Sequence, residues 1–260
     1  MLDTTPDIAI RFEDLTLGYD RHPAVHHLEG HVKRGSLTAV VGPNGSGKST
    51  LLKGIVGALK PLNGEITISR SERNDMAYLP QLSEIDRSFP ITVSEFICLG
   101  LWHRIGAFKA VGRGHLSDVN AALAAVGLEG FERRTINALS GGQLQRVLFA
   151  RVLVQDSPLI LLDEPFAAID RRTTLDLIAL VARWHGEGRT IIAVMHDLEL
   201  VAERFPEAIL MARELVAWGS TSAVLTTENL QKARAMSEAW DEQAPYCIRS
   251  ANEGARNDIV

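Results

Sequence analysis

Nine consecutive residues stand out chemically: Gly42, Pro43, Asn44, Gly45, Ser46, Gly47, Lys48, Ser49 and Thr50. They fit the pattern G-x-x-x-x-G-K-[ST], and they lie between an apolar run at 37–41 and a segment with helical spacing. Glycines let a backbone wrap closely around phosphate oxygens, with amide N–H groups pointing inward at a helix N-terminus. In such a cradle Lys48 supplies charge to the β- and γ-phosphates, and the Ser49 hydroxyl is a magnesium ligand. A second chemical pair, Asp163 and Glu164, follows four apolar residues at 159–162. A buried strand ending there projects both acids towards the phosphate site. Asp163 is then placed to hold magnesium, usually through water, and Glu164 to polarise an attacking water as general base. The loop has its full strand–loop–helix context and stands by itself, whereas an acid pair after a strand is by itself more often an ordinary turn. Together they describe a nucleotide-hydrolysing site.

The elements that must position these residues can be read from periodicity. Residues 8–13 alternate apolar and polar side chains, which predicts a half-buried strand. Residues 24–41 read as further strands, and the glycine-rich block opens a helix over 51–59 that Pro61 and Gly64 end. Strands are expected at 65–68 and 76–79. From Thr92 to about Val126 the spacing turns helical, interrupted by a glycine-rich loop at 106–114. After Gly141 and Gly142, strand and helix alternate: 159–162, 171–184, 190–194, 197–204 and 208–211. Such alternation implies a parallel sheet wrapped by helices. The stretch from about Asn229 is polar, and reads as a short helix followed by a loose tail. There is no internal repeat, so one chain carries one such unit.

Composition sets the outer limits. With 260 residues and 46% hydrophobic content the chain can bury one large α/β core plus a smaller lobe. The net charge of −5 argues against a nucleic-acid surface. Cys98 and Cys247 are far apart and form no CxxC, which fits a reducing compartment. No apolar run approaches the roughly 18–20 residues that span a bilayer. The acidic N-terminus lacks the features of a secretory leader, so a cytoplasmic location is expected.

Leu139, Ser140, Gly141, Gly142 and Gln143 lie between the two halves of the site. A serine and two glycines at a helix start make an anion site in their own right. With this pentapeptide the sequence resembles the ABC ATPases over about residues 8–225, whose signature it reproduces. The resemblance implies an α/β fold: a P-loop NTPase cassette with a RecA-like core, an antiparallel β subdomain and a helical subdomain at about 92–140. Residues 226–260 would be a C-terminal short helix and tail. It implies ATP and Mg²⁺ as cofactors. It also implies a head-to-tail homodimer in which Ser140, Gly141, Gly142 and Gln143 close over the partner's ATP, on the cytoplasmic face of a membrane. Tyr19 matches the aromatic that stacks on adenine, Gln81 the glutamine that senses Mg²⁺ and the permease, and His196 the histidine that contacts the γ-phosphate. Residues 167–170, Ala-Ala-Ile-Asp, depart from the usual Ser-Ala-Leu-Asp, which removes one hydroxyl from the expected dimer contact.

Residues 81–93, which include Phe89, Pro90, Ile91, Thr92 and Val93, look like the corresponding segment of zinc and manganese importers. This resemblance implies uptake of a divalent transition metal, zinc ahead of manganese, through a separate integral membrane permease fed by a substrate-binding protein. Importers of iron-siderophores or haem have related segments, and a soluble cassette of the iron–sulfur assembly type remains an alternative. His22, His26, His27 and His31 sit in a strand-and-turn region. There neighbours point to opposite faces, so surface histidines are favoured over a metal site.

Overall fold

The computed structural model describes residues 7–20, 22–73, 75–106, 112–167 and 169–238. Two sheets organise them. A three-stranded antiparallel sheet, in the order β2-β1-β4, is built from β1 (Ile8–Tyr19), β2 (His22–Lys33) and β4 (Asn63–Ile68). A six-stranded sheet runs β5-β6-β7-β3-β8-β9. Its strands are β3 (Leu37–Val41), β5 (Met76–Leu79), β6 (Leu159–Asp163), β7 (Thr190–Val194), β8 (Glu207–Ala212) and β9 (Glu214–Ser220). All pairings in it are parallel except β8 with β9. Every residue of β3, β6 and β7 is buried, which is why these strands read as continuous apolar runs.

Ten α-helices and three single-turn 3₁₀ helices, at Leu82–Glu84, Leu99–Leu101 and Ile136–Ala138, complete the described residues. The α-helices are α1 (Lys48–Val56), α2 (Arg70–Arg73), α3 (Val93–Cys98), α4 (Trp102–Ile105) and α5 (Arg113–Ala125), then α6 (Gly141–Gln155), α7 (Arg171–Gly186), α8 (Leu198–Arg204), α9 (Thr221–Val224) and α10 (Thr227–Glu238). The two faces of the large sheet feed two cores. Leu159 and Leu161 join Leu51, Leu52, Leu17 and Val25, so α1 is packed between the two sheets. Ile160 and Leu162 face the other way, towards Leu148, Phe149, Val181 and Trp184 of α6 and α7. This is the period-two alternation of a strand buried on both sides. Phe149 stacks on Trp184 with ring centroids 5.9 Å apart.

The helical lobe starts at a capping box: the Thr92 side chain accepts from Glu95 N–H while the Glu95 carboxylate accepts from Thr92 N–H. Thr92 bridges to Thr135, and Ile136 N–H donates to Ile91 carbonyl, so the lobe is tied off at both ends just before α6.

Several boundaries differ from the sequence expectation. The helix after the glycine block starts at Lys48, inside the block, and stops at Val56 rather than 59. Gly57 takes a left-handed conformation (φ +81°) and caps it, so Pro61 and Gly64 act on a chain already out of the helix. The first strand runs on from 13 to Tyr19 through a bulge at Asp14 (φ +46°). Arg113 and Gly114 belong to α5 rather than to a loop, and residues 107–111 of that expected loop lie outside the described residues. Strand β9 makes the sheet mixed where a parallel one was expected. The expected tail beyond Glu238, Cys247 included, also lies outside the described residues. No helix among the described residues is long and apolar enough to cross a membrane.

Candidate functional site

In the large sheet β6, β7 and β3 are neighbours. Their carboxyl ends bring together the glycine block after β3, Asp163 and Glu164 at the end of β6, and His196 just beyond β7. This is the crevice at strand C-termini where α/β sheets bind ligands. A cleft of about 630 Å³ lies there, lined by the loop 44–50 together with Ala24, Gln81, Glu164 and His196.

The loop is pressed from both sides. A Cβ on Gly47 (φ +89°) would sit 2.3 Å from the Ala24 carbonyl oxygen, and one on Gly42 (φ +151°) would sit 2.0 Å from that of Met211. Only glycine fits either position. Lys48 is buried, its ammonium donating to the carbonyls of Gly42 (2.9 Å) and Pro43 (2.7 Å). Burial pulls its pKa below the ordinary lysine range, while the charges of Glu164 and Asp163 oppose that shift. The Ser46 hydroxyl is buried with no hydrogen-bond partner among the described residues. A polar cradle with an unused hydroxyl and a cation folded over it is suited to phosphate.

Beside the cradle runs a chain of hydrogen bonds. Gln81 Nε2 donates to Ser49 Oγ at 3.0 Å, and Ser49 Oγ donates to Asp163 Oδ1 at 2.9 Å. Asp163 is fully buried, and burial pushes its carboxyl above the ordinary range although hydrogen bonds from Ser49 and Gln81 oppose this. Ser49 and Asp163 thus present a hydroxyl and a carboxylate, hard oxygen donors that fit Mg²⁺ beside phosphates, and Gln81, whose NH₂ group here faces Ser49 and Glu164, carries an amide oxygen on the same carbon. Gln81 Nε2 also donates to Glu164 Oε1 at 2.9 Å, and His196 Nε2 lies 2.7 Å from the same oxygen. Glu164 has φ +50°, a rare backbone conformation for a side chain of this size. The turn is held by Gln145, buried in α6, whose Nε2 donates to the Pro165 carbonyl at 2.7 Å.

The sequence-predicted residues therefore divide. The loop 44–50, Gln81, Glu164 and His196 share one cleft, with Asp163 bonded directly behind Ser49. Tyr19 is exposed at the end of β1, outside that lining, and pairs with His22 at the start of β2. Ser140, Gly141, Gly142 and Gln143 lie outside it as well. Ser140 caps α6, accepting from Gln143 N–H at 3.3 Å, while Gln143 Oε1 accepts from Ser140 N–H at 3.0 Å. Asp170 caps α7 by accepting from Thr173 N–H, and its hydrogen bonds from Thr173 hold its pKa below the ordinary carboxylate range. Ala168 lies outside the described residues. Among the described residues there is no group of three metal-ligating side chains. His26 is buried with its N–H bonded to the Arg213 carbonyl (2.8 Å), and His27 pairs with Asp14 at 2.7 Å.

Three contributors escaped the sequence reading. Tyr78 donates to Asp163 Oδ2 at 3.4 Å, and burial, with the Asp163 charge, raises its pKa. Gln145 stands two residues beyond the signature, a spacing that could have flagged it. Arg213, left-handed in the β8–β9 turn, donates its N–H to the Ser46 carbonyl at 3.0 Å. No spacing rule points to it, because the contact is made by backbone.

A family described as ABC transporter matches residues 25–167. The manganese transport system ATP-binding protein MntB of Listeria monocytogenes is 39% identical, over 86% of this chain and 95% of that one. The zinc transport system ATP-binding protein TroB of Treponema pallidum is 38% identical, over 86% of each. Among solved structures, a bacterial ABC transporter cassette in dimeric form superposes with a TM-score of 0.72 at 27% identity, covering 82% of this chain and 98% of that one.

Proposed function

Because the chain belongs to the ABC transporter family, we propose that it is the ATP-hydrolysing subunit of an importer for a divalent transition metal. The observation that carries the ATPase assignment is the bond chain Gln81–Ser49–Asp163 set against the phosphate loop, with Glu164 beside it. The cargo assignment is supported by relatives named for manganese and for zinc transport, which match over most of this chain at nearly equal identity.

In this reading Lys48 and the loop amides hold the β- and γ-phosphates, and Tyr19 stacks on the adenine. Ser49, Gln81 and Asp163 hold Mg²⁺, which when bound neutralises phosphate charge and orients the terminal phosphoryl group. Glu164 accepts the proton of the attacking water at its carboxylate. Gln81 and His196, both in contact with Oε1, fix the carboxylate's direction, and His196 contacts the γ-phosphate.

The chain offers two helix N-termini suited to anions, at α1 and at α6, yet the acids and Gln81 stand only at the first. A head-to-tail dimer uses both: Ser140 and Gly142 of one chain complete the cleft of the other. Phe166, Ile169 and Leu175 line a neighbouring groove of about 460 Å³ and are available to that contact.

Coupling to a separate permease on the cytoplasmic face of the membrane is assigned to residues 85–93. Phe89 is 64% exposed, beside Arg87 and Asp86, and Trp102 on the same lobe is 58% exposed. An apolar anchor rimmed by charge suits a subunit contact. The substrate-binding protein would meet the permease and not this chain. The deciding experiment is uptake of zinc, manganese and iron in cells lacking the gene. Selective loss of zinc or manganese accumulation under limitation supports the reading, and unchanged uptake of both overturns the cargo assignment while leaving the ATPase assignment standing.

A further inference from the structure

Two rungs join the phosphate-binding helix α1 to the turn that follows Gln81. The first is the bond from Gln81 Nε2 to Ser49 Oγ, at 3.0 Å. The second is an ion pair, with Lys53 Nζ donating to Glu84 Oε1 at 2.6 Å. Ser49 and Lys53 are four residues apart and share a face of α1. Gln81 and Glu84 are three apart across a single 3₁₀ turn, closed by Glu84 N–H donating to the Gln81 carbonyl at 3.0 Å. Gln81 is the N-cap of that turn, which spans Leu82–Glu84. Ser49 and Lys53 stand about 6 Å apart along α1, and the two bonds tie Gln81 to the first and Glu84 to the second.

The Lys53–Glu84 rung is more than a loose surface pair. Its side chains are only 29% and 35% exposed, and the bond to Glu84 is the leading reason the Lys53 pKa is raised. The turn it holds is otherwise a short piece of backbone between β5 and the helical lobe. Further along, a Cβ on Gly141 would lie 3.6 Å from Leu82, and Arg87 Nη1 donates to the Leu139 carbonyl at 3.5 Å. The other side of the turn therefore abuts the start of α6.

We propose that Lys53 and Glu84 form a charged latch that docks the post-Gln81 turn on the phosphate helix and so sets the reach of the Gln81 amide at the Ser49–Asp163 oxygens. They are positioning residues: neither lines the cleft, and both act through Gln81. The inference rests on the reading of Ser49, Gln81 and Asp163 as the Mg²⁺-holding set. With the latch open, Gln81 keeps a single rung to α1, and more Mg²⁺ is needed to assemble the same site.

The test is ATPase activity of the purified full chain titrated with Mg²⁺ at saturating ATP. The variants are Lys53→Met, Glu84→Gln and the charge exchange Lys53→Glu with Glu84→Lys. Lys53→Met is the discriminating one. Loss of a positive charge near two acids would by field alone lower the Mg²⁺ requirement, whereas loss of the latch raises it. Each single variant is expected to raise the half-saturating Mg²⁺ concentration about threefold to fivefold, the upper range for a partly exposed ion pair, and the exchange to return it to within about twofold. Affinity for ATP measured without Mg²⁺ is expected to stay unchanged in all three. A lower Mg²⁺ requirement in Lys53→Met, singles that behave like wild type, an exchange no better than the singles, or lost Mg²⁺-free ATP binding each overturns the latch. A wild-type chain whose hydrolysis ignores Mg²⁺ would instead overturn the site reading beneath it.

Discussion

Replacing Glu164 by Gln isolates one property of the site. In the structure Glu164 Oε1 is met by Gln81 Nε2 at 2.9 Å and lies 2.7 Å from His196 Nε2. A glutamine has the same length and shape, and its amide oxygen can accept from both neighbours, so the side chain keeps its place. What disappears is the basicity of the carboxylate. A positioned general base is worth about 10²–10⁴ in rate, which converts to about 2.7–5.5 kcal/mol of barrier. Glu164→Gln is therefore expected to slow hydrolysis by that factor. Binding of ATP should hold or tighten, by up to about tenfold, since the γ-phosphate loses a like-charged neighbour. Single-turnover release of γ-phosphate and binding of a fluorescent ATP analogue read the two quantities separately. The same variant with Mg²⁺ and ATP should accumulate as a dimer by light scattering, because the closed state can form but cannot fire. Turnover within tenfold of wild type, or loss of binding in step with turnover, would refute the assignment of Glu164 as base.

Lys48→Ala removes the cation bonded across the loop to Gly42 and Pro43, and should weaken ATP binding by about 10- to 100-fold, the worth of a charge-assisted hydrogen bond, in equilibrium titration. Asp163 gives a prediction about pH: the folded chain holds its proton more tightly than the unfolded chain does, because burial disfavours the carboxylate. That contribution to stability is complete below the ordinary aspartate range and is lost as pH rises through the raised folded value. Asp163→Asn should accordingly raise the nucleotide-free melting midpoint at neutral pH by about 2–4 °C, roughly 1 kcal/mol at this chain length, while abolishing Mg²⁺-dependent hydrolysis. A midpoint that falls would show that the Ser49 bond outweighs the burial cost. Replacing Phe89 by Ala should cut metal uptake by the assembled transporter about tenfold or more, with basal ATPase of the isolated chain within about twofold.

Legibility in the sequence followed a physical divide. Strands buried on both faces announce themselves as apolar runs, so β3, β6 and β7 and the residues at their ends could be placed from composition alone. The helix starts near Thr92 and Gly141 were legible for a local reason, since each is closed by a box whose donor and acceptor lie three residues apart. Backbone exceptions are not written that way. The bulge at Asp14 broke the alternation that would have carried β1 to Tyr19. Nothing in a Glu codes for φ +50°, yet Glu164 adopts it between a strand end and Pro165. β9 carries an apolar run at 215–218, but it is only half-buried and pairs on one edge, and the strand–helix alternation that located its neighbours ends before it. The Arg213 buttress on Ser46 followed it out of view, since it depends on the hairpin that β9 makes.

The same geometry bears on how two clefts would act together. The start of α6 is gripped twice by its own chain's catalytic parts. Leu82 abuts Gly141 and Arg87 reaches the Leu139 carbonyl from the Gln81 side, while Gln145 holds the Pro165 carbonyl next to Glu164. These contacts offer a route by which a shift of Gln81 or Glu164 would reach Ser140 and Gly142. In the head-to-tail arrangement proposed above, those residues belong to the other nucleotide's cleft. Each cleft then reports its occupancy to its neighbour through a path one helix N-terminus long, with no movement of the large sheet required. Coupling of this kind must be reciprocal. Removing the Gln145 bond by Gln145→Leu should thus lower the cooperativity of hydrolysis with ATP concentration while leaving the first ATP's affinity within about threefold, because that residue does not line the cleft. A Hill coefficient unchanged from wild type would remove Gln145 from the path.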